Sequence, residues 1–166
     1  MGVEVPLPIV QICQEVAPKY DLDPLLVLAV IEQESMYSPK IPRLENDYYR
    51  KYVHRNPQLA HLSPVTKTLF ASSYGLGQMM GLSLFEVGAI PTVVYDVQVF
   101  LWFVDYCENV RLQIETACQW LVAKKRIGVT HSVVDMLRRY NGSSEYPPKV
   151  LERYRRLTRE LKGDGG

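Results

Sequence analysis

This sequence has almost no excess of positive or negative charge. Its 19 basic and 18 acidic side chains leave a formal net charge of +1. The chain therefore lacks the long-range field that recruits nucleic acid or an anionic membrane surface. It also lacks any apolar run near the roughly 20 residues of a membrane-spanning helix. The longest, Leu25 to Ile31 and Val97 to Val104, are short, and Gln98 interrupts the second. No secretory leader is legible, because Met1-Gly2-Val3-Glu4 carries no basic residue and Pro6 and Pro8 break the stretch that follows. Cysteine is scarce and odd in number. Cys13, Cys107 and Cys118 have no metal-ligand spacing and fall in apolar helical patterns, so buried reduced thiols are expected rather than a disulfide framework or a metal centre.

What is present is ordinary globular material. Hydrophobic residues are 47% and charged residues 22% of 166, enough for one domain that buries roughly two-thirds of its unfolded surface. Eleven prolines and ten glycines punctuate the chain between periodic segments. Ile9, Ile12, Cys13 and Val16 predict a first amphipathic helix. Asp23-Pro24 is a helix-start signal, and the helix it opens, from Leu25 to about Glu34, is apolar on every side, the mark of a central buried helix. A tyrosine-rich helix is expected over 44–53, a turn over 72–77 and a helix over 78–87. Residues 92–106 fit a strand or a helix, with length favouring helix. Further helices are expected from Ile114 to Arg126, from Val133 to Tyr140, stopped by Asn141-Gly142, and from Pro147 onward, with Val150, Leu151, Tyr154 and Leu157 inward. The expected architecture is mainly α and single-domain, with a frayed tail at 163–166.

Three features could carry chemistry. Glu34 shares a helix face with Val27, Val30 and Ile31, while Glu32 points to roughly the opposite side. A carboxyl at the end of a buried apolar helix is desolvated, which suits it to donate a proton, although a helix-end cap or salt bridge fits the same spacing. The second feature is Ser72-Ser73-Tyr74-Gly75-Leu76-Gly77-Gln78-Met79-Met80-Gly81, a glycine turn where backbone can approach a ligand closely. It is not a phosphate loop, having neither the preceding strand nor the Lys-Ser/Thr. The third is Arg139-Tyr140-Asn141-Gly142, which by itself reads as a core tyrosine and a plain helix cap.

In this order, Leu25 to Ser35, Ala71 to Met80 and Arg139 to Gly142 resemble the soluble (SLT-type) lytic transglycosylase domain of the lysozyme-like superfamily. The likeness runs from about Leu22 to Leu157 and takes in Gln113-Ile114-Glu115-Thr116-Ala117 with Trp120-Leu121. Gly77 stands where that family has a groove-lining Met, Gln113 and Ala117 replace Asn and Gly, and Arg139 replaces a small residue. The stretch from Leu44 to Pro64, with Tyr48, Tyr49 and Tyr52, is longer than a minimal domain and is similar to bacteriophage lysis and virion versions.

The resemblance implies a goose-lysozyme/SLT-like helical fold and cleavage of peptidoglycan glycan strands by one carboxyl group, Glu34, with no metal or organic cofactor. Ser35, Tyr74, Gly75, Gln78, Tyr140 and Asn141 would orient or bind the sugar, with Tyr140 touching Glu34. A hydrolytic muramidase would instead need a second acid, for which Glu45 and Asp47 are the candidates. A binding or virion structural module that kept the fold without activity is the rival from another class. The expected protein is a monomer whose partner is the glycan strand, with no nucleic acid and no membrane insertion. Lacking a legible leader, it would be made in the cytoplasm and reach the cell wall or periplasm through a virion or a holin-type pore.

Overall fold

The computed structural model describes residues 4–38, 42–90, 95–127 and 132–163, the side chains of 126 and 127 apart. The protein is mostly helical with one small three-stranded sheet. The chain divides into two compact units, Met1–Tyr37 with Ala117–Gly166, and Ser38–Thr116.

The first unit is built around α2 (Pro24–Ser35). The Asp23 carboxylate accepts from the Leu25 amide at 2.8 Å, and Pro24 occupies the first helical position where no amide hydrogen is needed. Every residue from Leu25 to Ile31 is buried. The covering elements are α1 (Leu7–Val16) and α9 (Tyr146–Lys162), the latter also packed by α8 (Val133–Asn141). The α9 stripe buries Tyr146, Val150 and Leu157, whereas Leu151 and Tyr154 are only half-buried. Cys13 and Cys118 lie in this core, as expected. Gly142, at φ 88°, ends α8 by donating to the Arg138 carbonyl at 2.7 Å, as Asn-Gly predicts.

The second unit contains β1 (Arg43–Leu44), β2 (Ser72–Tyr74) and β3 (Met79–Met80), antiparallel in that order, with Arg43 opposite Ser73 and Ser73 opposite Met80. This sheet corrects three expectations. The turn expected over 72–77 opens as strand β2, paired on both sides, and only 75–77 turn. The helix expected from 44 starts at Asn46 because Arg43 and Leu44 pair with β2; α3 (Asn46–Tyr48) then widens into a π-helical turn, Tyr49–Val53. The helix expected from 78 starts three residues late, as α5 (Gly81–Glu86), because Met79 and Met80 return along β2. Gly81 is required there: a Cβ would lie 2.3 Å from the Leu69 carbonyl oxygen.

The core of this unit is aromatic. Phe70, at the end of α4 (Pro64–Phe70), and Phe103, on α6 (Asp96–Glu108), meet edge to face at 5.8 Å, and Tyr74 stacks on Phe103 at 4.5 Å. The ambiguous segment is thus helical from Asp96 onward, and its first part, 92–94, lies outside the described residues. Cys107, expected in the core, is half-buried, since it borders the side of α6 away from Val99, Phe103 and Tyr106. The long helix α7 (Val110–Ile127) follows. The expected tail at 164–166 also lies outside the described residues.

Among the described residues, no helix is long and apolar enough to cross a membrane, and no group of three or more His, Cys, Asp or Glu is placed to hold a metal ion.

Candidate functional site

Two carboxyl groups at the end of α2 have opposite surroundings. Glu32 is 1% exposed and saturated with donors. The Tyr37 hydroxyl donates to its Oε2 at 2.7 Å, Arg153 donates to Oε1 at 2.5 Å, and Arg156 donates to Oε2. Two guanidinium groups from α9 therefore bind it in a buried structural ion pair. The sequence assigned no role to this residue.

Glu34, two residues on, is half-buried, and its Oε1 is sealed from solvent. Beside it stands Tyr146, 4% exposed, with its hydroxyl also buried. That hydroxyl makes no hydrogen bond of strict geometry among the described residues, yet the Glu34 carboxyl is close enough to act on it. Burial first, then Tyr140, then Glu34 push the ionisation of the Tyr146 phenol well above its ordinary range. The phenol therefore stays protonated beside the carboxyl.

The sequence placed Tyr140 in this position. The structure adds Tyr146, whose ring stacks on that of Tyr140 at 6.1 Å and an interplanar angle of 17°. A signal for Tyr146 was available: it stands four residues before Val150 on the inward stripe of α9, directly ahead of Pro147.

Strained backbone adjoins the carboxyl. Met36 and Tyr37, immediately after α2, both adopt left-handed conformations, at φ 53° and 62°. Two such non-glycine residues in succession cost of order 1–3 kcal/mol each and persist only where the surroundings hold them. The Tyr37 ring is buried and its hydroxyl is tied to Glu32, which supplies that hold.

The remaining expected residues are placed as follows. Ser35 is buried and donates to the Ile31 carbonyl at 3.0 Å, so its hydroxyl stabilises the last turn of α2. Asn141 is exposed at the end of α8. Gln78, at φ 46°, folds back on its own turn, donating to the Gly75 carbonyl at 2.9 Å and accepting from Ser73 at 3.3 Å. Tyr74 and Gly75 depart from their expected roles. Tyr74 is 2% exposed, donates to the Leu69 carbonyl at 2.9 Å and serves as a core ring rather than a sugar contact. Gly75, at φ 70°, is approached closely by the Gln113 side chain, not by a ligand face, and a Cβ there would stand 2.9 Å from it. Buried Gln113 accepts from the Leu76 amide at 3.0 Å and donates to the carbonyls of Tyr106 and Cys107 at 2.9 and 3.0 Å.

The two candidate second acids lie near the start of α3. Glu45 pairs with Arg43 at 2.5 Å, and Asp47 is fully exposed, 3.8 Å from Arg50.

No protein-family model, curated protein or solved structure matches the chain. The functional reading therefore rests on the residues themselves.

Proposed function

We propose that this protein cleaves the glycan strands of peptidoglycan as a lytic transglycosylase of lysozyme-like fold, with Glu34 as its one acid–base group. The observation that carries the reading is the contrast at the end of α2. Glu32 is neutralised by Arg153 and Arg156, while Glu34 has a buried oxygen against the protonated phenol of Tyr146. With Glu32 taken up by its ion pairs, Glu34 is the carboxyl of the two that is left to carry a proton.

In the proposed reaction the Glu34 carboxyl protonates the oxygen linking N-acetylmuramic acid to N-acetylglucosamine, and the bond from that oxygen to the muramyl anomeric carbon breaks. The resulting carboxylate then takes the proton of the muramyl 6-hydroxyl as its oxygen closes on the anomeric carbon. The products are a 1,6-anhydromuramyl end and a free 4-hydroxyl, and Glu34 regains its proton. Glycosidases that admit water use a second carboxyl. The ties of Glu45 to Arg43 and the full exposure of Asp47 favour the route without one. Delivery to the wall by a virion or a holin-type pore belongs to the same reading.

Glu34→Gln keeps the volume of the side chain and removes proton transfer, so clearing of purified cell walls should be lost with the circular dichroism spectrum unchanged. Anhydromuramyl ends among wild-type products are the expected result. Reducing ends would mean a hydrolase, and wall binding without cleavage by either protein would mean a binding module.

A further inference from the structure

Helix α6 has two apolar faces. Val99, Phe103 and Tyr106 are buried against the aromatic core. On the opposite side Val97, Phe100, Leu101 and Val104 follow the i, i+3, i+4, i+7 rule and are 69%, 58%, 56% and 43% exposed. Exposed large apolar residues are ordinary when scattered; a continuous stripe marks an interaction surface.

The charged residues of α6 are Asp96, Asp105 and Glu108, all acidic. At about 100° per residue, Asp96 borders one side of the stripe, Asp105 borders the other, and Glu108 closes its C-terminal end. We propose that this face docks a partner helix that is apolar along one stripe and bordered by lysine and arginine.

The charges select this occupant over two others. A second copy packed antiparallel across Phe100 and Leu101 sets Val97 on Val104, but both helices bring only acids to the seam, so no ion pair forms across it. A bilayer with anionic headgroups meets three acids and no base on the helix. Asp96 already accepts from the Ser63 amide at 3.1 Å, so Asp105 and Glu108 are the acids that a basic border turns into attractions, which fixes register and speeds encounter. The inference is independent of the glycan reading.

Two synthetic peptides with the same leucine stripe, one bordered by lysine and arginine and one by glutamate, provide the probes for calorimetric titration of the full chain. The basic peptide should bind, and Phe100→Ser with Leu101→Ser should weaken it about tenfold or more while the circular dichroism is unchanged, since both residues are exposed. Asp105→Asn with Glu108→Gln should flatten the salt dependence of binding. Equal binding by the serine variant, equal binding of the glutamate peptide, or no binding of either peptide overturns the proposal. So does a sedimenting dimer, or pelleting with phosphatidylglycerol vesicles, that the serine variant loses, because each assigns the face to another occupant.

Discussion

The hydroxyl of Tyr146 and Oε1 of Glu34 are both closed to solvent, and the Glu34 carboxyl stands close enough to raise the ionisation of the Tyr146 phenol. One residue begins α9 and the other lies in the last turn of α2, so the packing of these two helices sets their approach. On the proposed reading, a phenol at this point would orient the carboxyl through its proton-transfer cycle. Tyr146→Phe removes the hydroxyl alone. The expected result is a fall in kcat of roughly ten- to a hundredfold with KM little changed, and a stability loss below about 1.5 kcal/mol. Full activity would leave Tyr146 as a core residue only.

The clamp on Glu32 predicts non-additive stability. Removing Arg153 or Arg156 singly leaves the other guanidinium on a carboxylate that is 2% exposed. Each single alanine variant should therefore cost less than the double, which leaves the buried charge uncompensated and should cost about 3–5 kcal/mol. Urea denaturation of the four proteins measures this, and strict additivity would show that the two arginines do not share the charge.

Alkaline pH should destabilise the fold. Burial raises the ionisation of Tyr37, Tyr74, Tyr106 and Tyr146 above the ordinary phenol value of 10.0, and that of Cys13 above 9.0. The folded chain then holds these protons more tightly than the unfolded chain. Their contribution is complete below about pH 9 and is lost as pH rises through and beyond 10. Melting temperatures between about pH 8 and pH 11 should fall steadily, and a flat profile contradicts the burial of these groups.

Gly75→Ala should destabilise the second unit. The new Cβ would occupy a backbone at φ 70° and press on the Gln113 side chain, which holds Leu76, Tyr106 and Cys107 together. A loss of more than about 1 kcal/mol is expected. An unchanged urea midpoint would show that the Gly75–Gln113 contact is slack.

Much of the first unit is local chemistry and was legible in the residues. Asp23-Pro24 starts α2, seven consecutive apolar residues bury it, and Asn141-Gly142 stops α8. The second unit was legible only in part, because strands of two and three residues carry no usable alternation. Whether Met79 and Met80 join a sheet or a helix depends on the edge that β2 offers, which periodicity does not encode.

Sequence alone determined a mainly helical protein with a buried helix carrying two carboxyl groups near its end, because helical spacing and capping are properties of neighbouring residues. Tertiary structure decided what each carboxyl faces. Arg153 and Arg156 stand more than a hundred residues after Glu32, and Tyr146 as far after Glu34. Only the packing of α9 on α2 brings them together, so it is the packing that leaves Glu32 an ion pair and sets Glu34 against a phenol. The same holds for α6: its residues allowed a strand or a helix, and only the packed core shows that the face carrying Phe100 and Leu101 is left to solvent.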